Sequence, residues 1–213
     1  MSAVYRIGYL QRVPLRTPYP AIVGYVGGLL GKLPRDTELV LDFTGVGRPV
    51  FDMFHYAGIS PVGVLITGGA HTQWDGSQIA AVPKVTLISH LIALLHSGRL
   101  KCHKELPEGR VLAEELRNFR ASYTDAGHLT FSARQGKHDD LLLATGLAAW
   151  YLEGAGRPSQ GVWDYYCRRD AAPERYCVGV DLGQSADPTA ICVMSRVELN
   201  PADPAEAAFE AVA

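Results

Sequence analysis

Cys177-Val178-Gly179-Val180-Asp181-Leu182-Gly183 and Thr189-Ala190-Ile191-Cys192-Val193-Met194 decide how this chain folds. Each run is short, apolar and rich in β-branched residues, and the stretch between them holds serine, aspartate and proline, so the pair predicts a hairpin of two strands. The first strand ends on a charge, Asp181. Working back along the chain, Glu38-Leu39-Val40-Leu41-Asp42-Phe43 is an almost continuously apolar strand of the sort buried on both faces of an α/β sheet, with Asp42 near its end. After the turn Thr44-Gly45-Val46-Gly47-Arg48-Pro49, a helix over 50–56 closed by Gly58 and a strand over 61–67 follow. This strand, helix, strand alternation predicts parallel pairing with helices on the faces.

The remaining elements fit the same layout. A strand is expected over 5–13, a loop over 14–18, and a helix opened by Tyr19-Pro20, whose Ile22, Val23, Val26, Leu29, Leu30 and Leu33 recur at helical spacing. Residues 68–81 read as a long polar loop, 84–97 as an amphipathic helix, 99–103 as a short strand, 108–120 as a charged helix and 128–134 as an edge strand. His138-Asp139-Asp140 then opens a strongly apolar helix over 141–152, with acids in the turn where the helix dipole favours negative charge.

The expected organisation is a core over 1–153, a linker or surface excursion over 154–175, a hairpin over 176–197 that completes the same domain or exchanges into a neighbouring molecule, and a flexible tail over 198–213. The chain has 213 residues, 47% hydrophobic and 20% charged, enough for one substantial core. No apolar run has the roughly 18 residues of a membrane span, and the N-terminus lacks a signal-peptide layout, so a soluble, cytoplasmic protein is expected. Cys102, Cys167, Cys177 and Cys192 form no C-x-x-C pair and read as reduced thiols. The formal net charge of −2 leaves no basic footprint, so any contact with nucleic acid must come from local patches.

Three placements of carboxylates stand out: Asp42 and Asp181 at the ends of buried strands, and Asp139 with Asp140 at a helix start. In open α/β sheets, strand ends and helix N-termini converge at one edge, so acids from three segments can meet there. Clustered carboxylate oxygens suit hard divalent cations, and a pair of such ions supports in-line displacement at a phosphodiester. Taken singly, each aspartate is equally a turn former or an N-cap.

The segments Val178 to Ala190, Leu39 to Val50 and Lys137-His138-Asp139-Asp140-Leu141 together resemble the three acidic motifs of the nuclease domain of phage large terminases. The resemblance implies a ribonuclease H-like α/β fold, a mixed central sheet flanked by helices. It also implies an endonuclease cutting concatemeric viral DNA during packaging in the host cytoplasm, with two Mg²⁺ or Mn²⁺ ions held by Asp181, Asp42, Asp140 and Asp139. The implied partners are double-stranded DNA, a separate packaging ATPase, a small terminase subunit and a portal. Arg48, Lys84, Arg134, Lys137 and His138 lie near these motifs and are candidate DNA contacts, with ordinary solvated charges as the plainer reading. The tract 157–175, with Trp163, Tyr165, Tyr166, Arg168 and Arg169, mixes aromatic and basic residues that could stack on bases or simply pack.

The family order begins with the hairpin that here comes last, so the strands look circularly permuted. Gly27-Gly28-Leu29-Leu30-Gly31-Lys32-Leu33 has the wrong spacing for a phosphate loop and no Ser or Thr after the lysine, so no ATPase half is read here. Gly179 to Gly183 also resembles the first phosphate turn of actin-like ATPases and sugar kinases, but that reading needs a second domain and leaves the other acidic motifs unexplained. A Holliday-junction resolvase shares fold and chemistry, and a non-catalytic assembly module is the remaining alternative.

Overall fold

The computed structural model describes residues 3–123, 129–133, 138–154, 174–183, 187–198 and 209–211, the side chains of 120–123, 129–133 and 210–211 excepted. In chain order the elements are β1 (Ala3–Arg12), α1 (Tyr19–Leu30), β2 (Glu38–Asp42), α2 (Arg48–Tyr56), β3 (Val62–Thr67), β4 (Gln73–Trp74), β5 (Ile79–Pro83), α3 (Lys84–His96), β6 (Leu100–His103), α4 (Gly109–Asn118), β7 (Phe119–Tyr123), β8 (Leu129–Ala133), α5 (Asp140–Leu152), β9 (Glu174–Asp181), β10 (Ala190–Glu198) and β11 (Phe209–Ala211). Nine strands form one sheet in the order β11-β6-β1-β10-β9-β2-β3-β5-β4. Strands β9, β2, β3 and β5 pair in parallel, while β10 runs antiparallel between β1 and β9. This is the mixed, helix-flanked sheet that was expected, with its antiparallel hairpin late in the chain.

Alternation along the central strands sorts their side chains onto two faces. Leu39, Leu41, Phe43, Val178, Val180 and Leu182 join Val26 of α1 and Phe51 and Phe54 of α2 in one buried cluster. Val40, Cys177, Cys192 and Met194 join α5 and α3 in the other. Asp42 and Asp181 share the parity of Val40 and Cys177, so both lie on the α5 side.

Helix α5 is apolar on every side because it is covered on every side: all its residues from Asp140 to Leu152 are buried. It lies on β9, β10 and β2, with α3 and α4 packed over it. The close approach to the sheet depends on Gly179, where a Cβ would fall 2.1 Å from the Ala144 carbonyl oxygen. A glycine two residues before Asp181 thus lets α5 descend onto the strand and bring its N-terminus to the strand's end.

Several expectations need correction. The polar loop expected over 68–81 contains β4 and the start of β5, and β5 pairs in parallel with β3 from Gly63↔Ile79 to Thr67↔Pro83. Ile79-Ala80-Ala81-Val82-Pro83 has little intrinsic strand propensity, and its parallel neighbour decides its conformation. The strand expected over 128–134 is not an edge of the main sheet; β8 pairs with β7 in a separate two-stranded ribbon, and the helix expected over 108–120 gives way to β7 at Phe119. The tail expected from 198 onward contributes β11, antiparallel to β6 from Phe209↔His103 to Ala211↔Lys101. Phe209 is held there by the His103 ring edge at 5.2 Å and the Arg6 guanidinium at 5.5 Å. Cys102, Cys177 and Cys192 are buried free thiols. Cys167, the aromatic and basic tract up to 173, Arg134 and Lys137 lie outside the described residues.

Candidate acidic site at the sheet edge

Parallel pairing of β2 with β9 sets Asp42 opposite Asp181 in direct register. Asp42 is 7% exposed, and its Oδ1 accepts both the Thr44 amide hydrogen, at 2.8 Å, and the Thr44 hydroxyl. The Ile66 amide in turn donates to Thr44 Oγ1 at 2.6 Å, so β3 fixes the threonine and the threonine fixes one oxygen of Asp42. Asp42 is therefore a turn former as well, but the turn engages Oδ1 alone. Its register partner Asp181 acts on the protonation of its carboxyl.

The third segment arrives on α5. Asp139 is the residue before its first turn and makes no side-chain cap bond; instead its Oδ2 lies 2.7 Å from Lys84 Nζ. Asp140, 5% exposed, faces Arg12 Nε at 3.3 Å through an Oδ2 that is buried without a hydrogen bond. The N-cap reading of these aspartates fails, because the backbone bond that caps α5 goes elsewhere: the Leu142 amide donates to Glu115 Oε2 at 2.8 Å. Glu115, buried on α4, also pairs with Arg12.

Burial raises the pKa of every acid in this group for which a shift is resolved. The Asp181 carboxyl is pushed well above the usual range by burial first, then by Asp42, Asp140 and Asp139, against the opposing charge of Lys84. Asp42 is raised by burial despite the Thr44 hydrogen bonds that favour its charged form. Asp140 is pushed up to about 6 by burial, with Arg12 and His138 opposing. At Asp181 loss of hydration comes first and repulsion by the other acids second.

The other candidates are dispersed. Lys84 is an ion-pair partner of Asp139 rather than a free phosphate contact. His138 lies at the rim, half exposed, with Nδ1 at 3.9 Å from both Asp140 Oδ2 and Asp187 Oδ1. Arg48 pairs with Asp52 on its own helix at 3.4 Å and lies over the Phe51 ring, so it is an α2 surface residue. A hollow of about 240 Å³ opens against the β1–α1 loop, lined in part by Arg16, Thr17, Tyr19, Gly183, Asp187 and Thr189 and by none of the four acids.

Sequence reasoning missed Arg12, Glu115 and the role of Thr44. Glu115 had a readable signal: it follows buried Leu112 by three positions, which places a carboxylate on the inward face of an amphipathic helix. Arg12 had none, since only the sheet order brings the end of β1 to α5.

Among the described residues, no three His, Cys, Asp or Glu side chains are already drawn together as a metal cage. The donor chemistry nevertheless suits a hard divalent cation: the groups are all carboxylates, and one buried oxygen, Asp140 Oδ2, lacks a hydrogen-bond donor.

No family model and no curated protein matches the chain. Solved structures that resemble it are crystal structures of the large terminase nuclease from thermophilic phage G20c. The form with bound cobalt is 24% identical, with a TM-score of 0.48 and 62% of each chain covered. The form with bound magnesium is 21% identical, with a TM-score of 0.49, 69% of this chain and 80% of that chain covered. A further structure of the same nuclease is 19% identical, with a TM-score of 0.47 and 70% and 82% covered. The likeness is one of fold, and the chain spans 62% of the length of the first of these.

Proposed function

We propose that this chain is a metal-dependent DNA endonuclease of the large-terminase nuclease type, hydrolysing phosphodiester bonds of double-stranded viral DNA during packaging in the host cytoplasm. The observation that carries the reading is the register pairing of Asp42 with Asp181 on parallel strands, with the acidic start of α5 beside them. Four carboxylates at one sheet edge are costly to bury together, and a cationic ligand offsets that cost.

In this reading Asp181 and Asp42 would hold the ions, with Asp140, Asp139 or both completing the set. Mg²⁺ or Mn²⁺ ions bound there would activate water and stabilise the leaving oxygen. The chain's own residues do the positioning. Thr44 fixes Asp42 through its Oδ1, and Gly179 admits α5 to the strand. Lys84 and Arg12 keep the acids from repelling one another when no cation is bound. His138, at the rim, is placed to meet a phosphate or carry a proton outward.

The chain also reads as circularly permuted. Strand β1 pairs with β10 from Ala3↔Glu198 to Arg12↔Ala190, so the start of β1 lies beside the end of β10, where a short turn would join them in the other order. A packaging ATPase, a small terminase subunit and a portal are the partners this role implies.

The test is cleavage of supercoiled plasmid with Mn²⁺, Mg²⁺ or EDTA, alongside a four-way junction. Metal-dependent nicking and linearisation of the plasmid without preference for the junction supports the reading; marked preference for the junction points to a resolvase. No cleavage by folded protein in either metal leaves an assembly module.

A further inference from the structure

Glu115 stands apart from the acids discussed so far. It comes from α4, is 6% exposed, and belongs to none of the three acidic segments. A carboxylate this deep is retained only where its bonds are made, and Glu115 makes two kinds. Its Oε2 accepts the Leu142 amide hydrogen at 2.8 Å, which satisfies a buried donor in the first turn of α5 that has no partner within the helix. Its Oε1 pairs with an Arg12 guanidinium nitrogen, and the same guanidinium turns its Nε to Asp140 at 3.3 Å.

Both contacts bear on which partners Asp139 and Asp140 take; Asp139 Oδ2 is paired with Lys84. An aspartate at the position of Asp139 normally folds back to cap its own helix, spending its oxygens on backbone N–H groups. Here the cap is supplied from another helix, and Asp139 makes no cap bond. Arg12 left with Asp140 as its one acidic partner would neutralise it and occupy its oxygens; shared with Glu115, it approaches Asp140 without making a hydrogen bond.

From these contacts we infer that Glu115 is a positioning residue of the acidic site: it caps α5 from α4 and anchors Arg12, and so keeps Asp139 off the helix backbone, paired with Lys84, and leaves the Asp140 carboxylate open to a divalent cation. The inference rests on the proposed function in taking a cation as the ligand. Glu115 itself stays behind Arg12 and touches no ligand.

The test titrates Mn²⁺ alone by calorimetry into wild type, Glu115→Gln and Asp181→Asn, and follows amide exchange in the first turn of α5. Glu115→Gln is isosteric and keeps an acceptor for the Leu142 amide but loses its hold on Arg12. It should bind Mn²⁺ about tenfold more weakly, a change of about 1.4 kcal/mol, with near-normal exchange at Leu142. Glu115→Ala loses both contacts, so exchange at Leu142 should accelerate as well. If Glu115→Gln folds too poorly to titrate, Glu115→Asp serves: one methylene shorter, it cannot span both partners and should weaken Mn²⁺ binding at least threefold. Wild-type affinity in the folded glutamine or aspartate variant, while Asp181→Asn has lost binding, overturns the role of Glu115 and leaves the cation site standing. Absence of Mn²⁺ binding in wild type itself overturns both.

Discussion

Lys84 Nζ lies 2.7 Å from Asp139 Oδ2, tying the first residue of α3 to the residue that precedes α5. The same ammonium opposes the raised pKa values of Asp42 and Asp181 across the site. Lys84 is thus an internal counter-charge, and its removal should act oppositely on the free and cation-bound protein. Lys84→Met is expected to lower the stability of the metal-free protein by no more than about 1 kcal/mol, since the pair is partly exposed. It should also tighten Mn²⁺ binding severalfold, because one positive charge no longer competes. Denaturant melts in EDTA and calorimetric titration check the two halves; weaker Mn²⁺ binding would show that Lys84 serves the ligand directly.

Gly179 tests the architecture that delivers α5 to the site. A methyl group there would meet the Ala144 carbonyl oxygen at 2.1 Å, and backbone in a buried helix cannot yield as a side-chain tip can. Gly179→Ala should cost on the order of 3 kcal/mol in urea unfolding. Gly8→Ala, on β1 with open space at its Cβ position, should cost less than about 1 kcal/mol. Equal, small losses at both positions would mean that α5 does not sit against β9 as described.

Stability should depend on pH in an unusual direction when no cation is bound. Asp140 is raised from 3.8 to about 6 and Glu115 from 4.5 to about 7, in both cases chiefly by burial. The folded protein therefore holds protons that the unfolded chain has already released. Their stabilising contribution is complete below the unfolded values and is lost as pH rises through the folded ones. In EDTA, Tm should fall between about pH 4 and pH 7. Saturating Mn²⁺ should recover the Asp140 share, while the Glu115 share persists. A Tm that climbs steadily over this range in EDTA would contradict the assignment.

Much of the frame was legible because it follows from periodicity. The apolar runs of β2, β3, β9 and β10 and the helical spacing of α1, α3 and α5 are local signals, and the structure places each element within a few residues of its expected bounds. Alternation also made Asp42 and Asp181 visible as charges at strand ends. What local signals could not supply was pairing. Strand β5 is too rich in alanine to announce itself and is made a strand by β3. Strand β11 exists because β6 offers an open edge to Phe209. Arg12 and Glu115 meet Asp140 only through the packing of α4 and α5 beside β1. Lys84 was legible as a residue near the acids, but its engagement with Asp139 depends on where β5 delivers the start of α3.

Asp42 and Asp181, paired in register, are proposed to act together on DNA. The direct measurement is conversion of supercoiled plasmid in Mn²⁺ by wild type, Asp42→Asn and Asp181→Asn, each first shown to be folded by circular dichroism. The asparagines keep size and remove the charge that holds a cation, so both variants should lose at least about a thousandfold in nicking rate, on the order of 4 kcal/mol of transition-state stabilisation. Folded variants that nick as fast as wild type would place the chemistry, if any, away from this sheet edge.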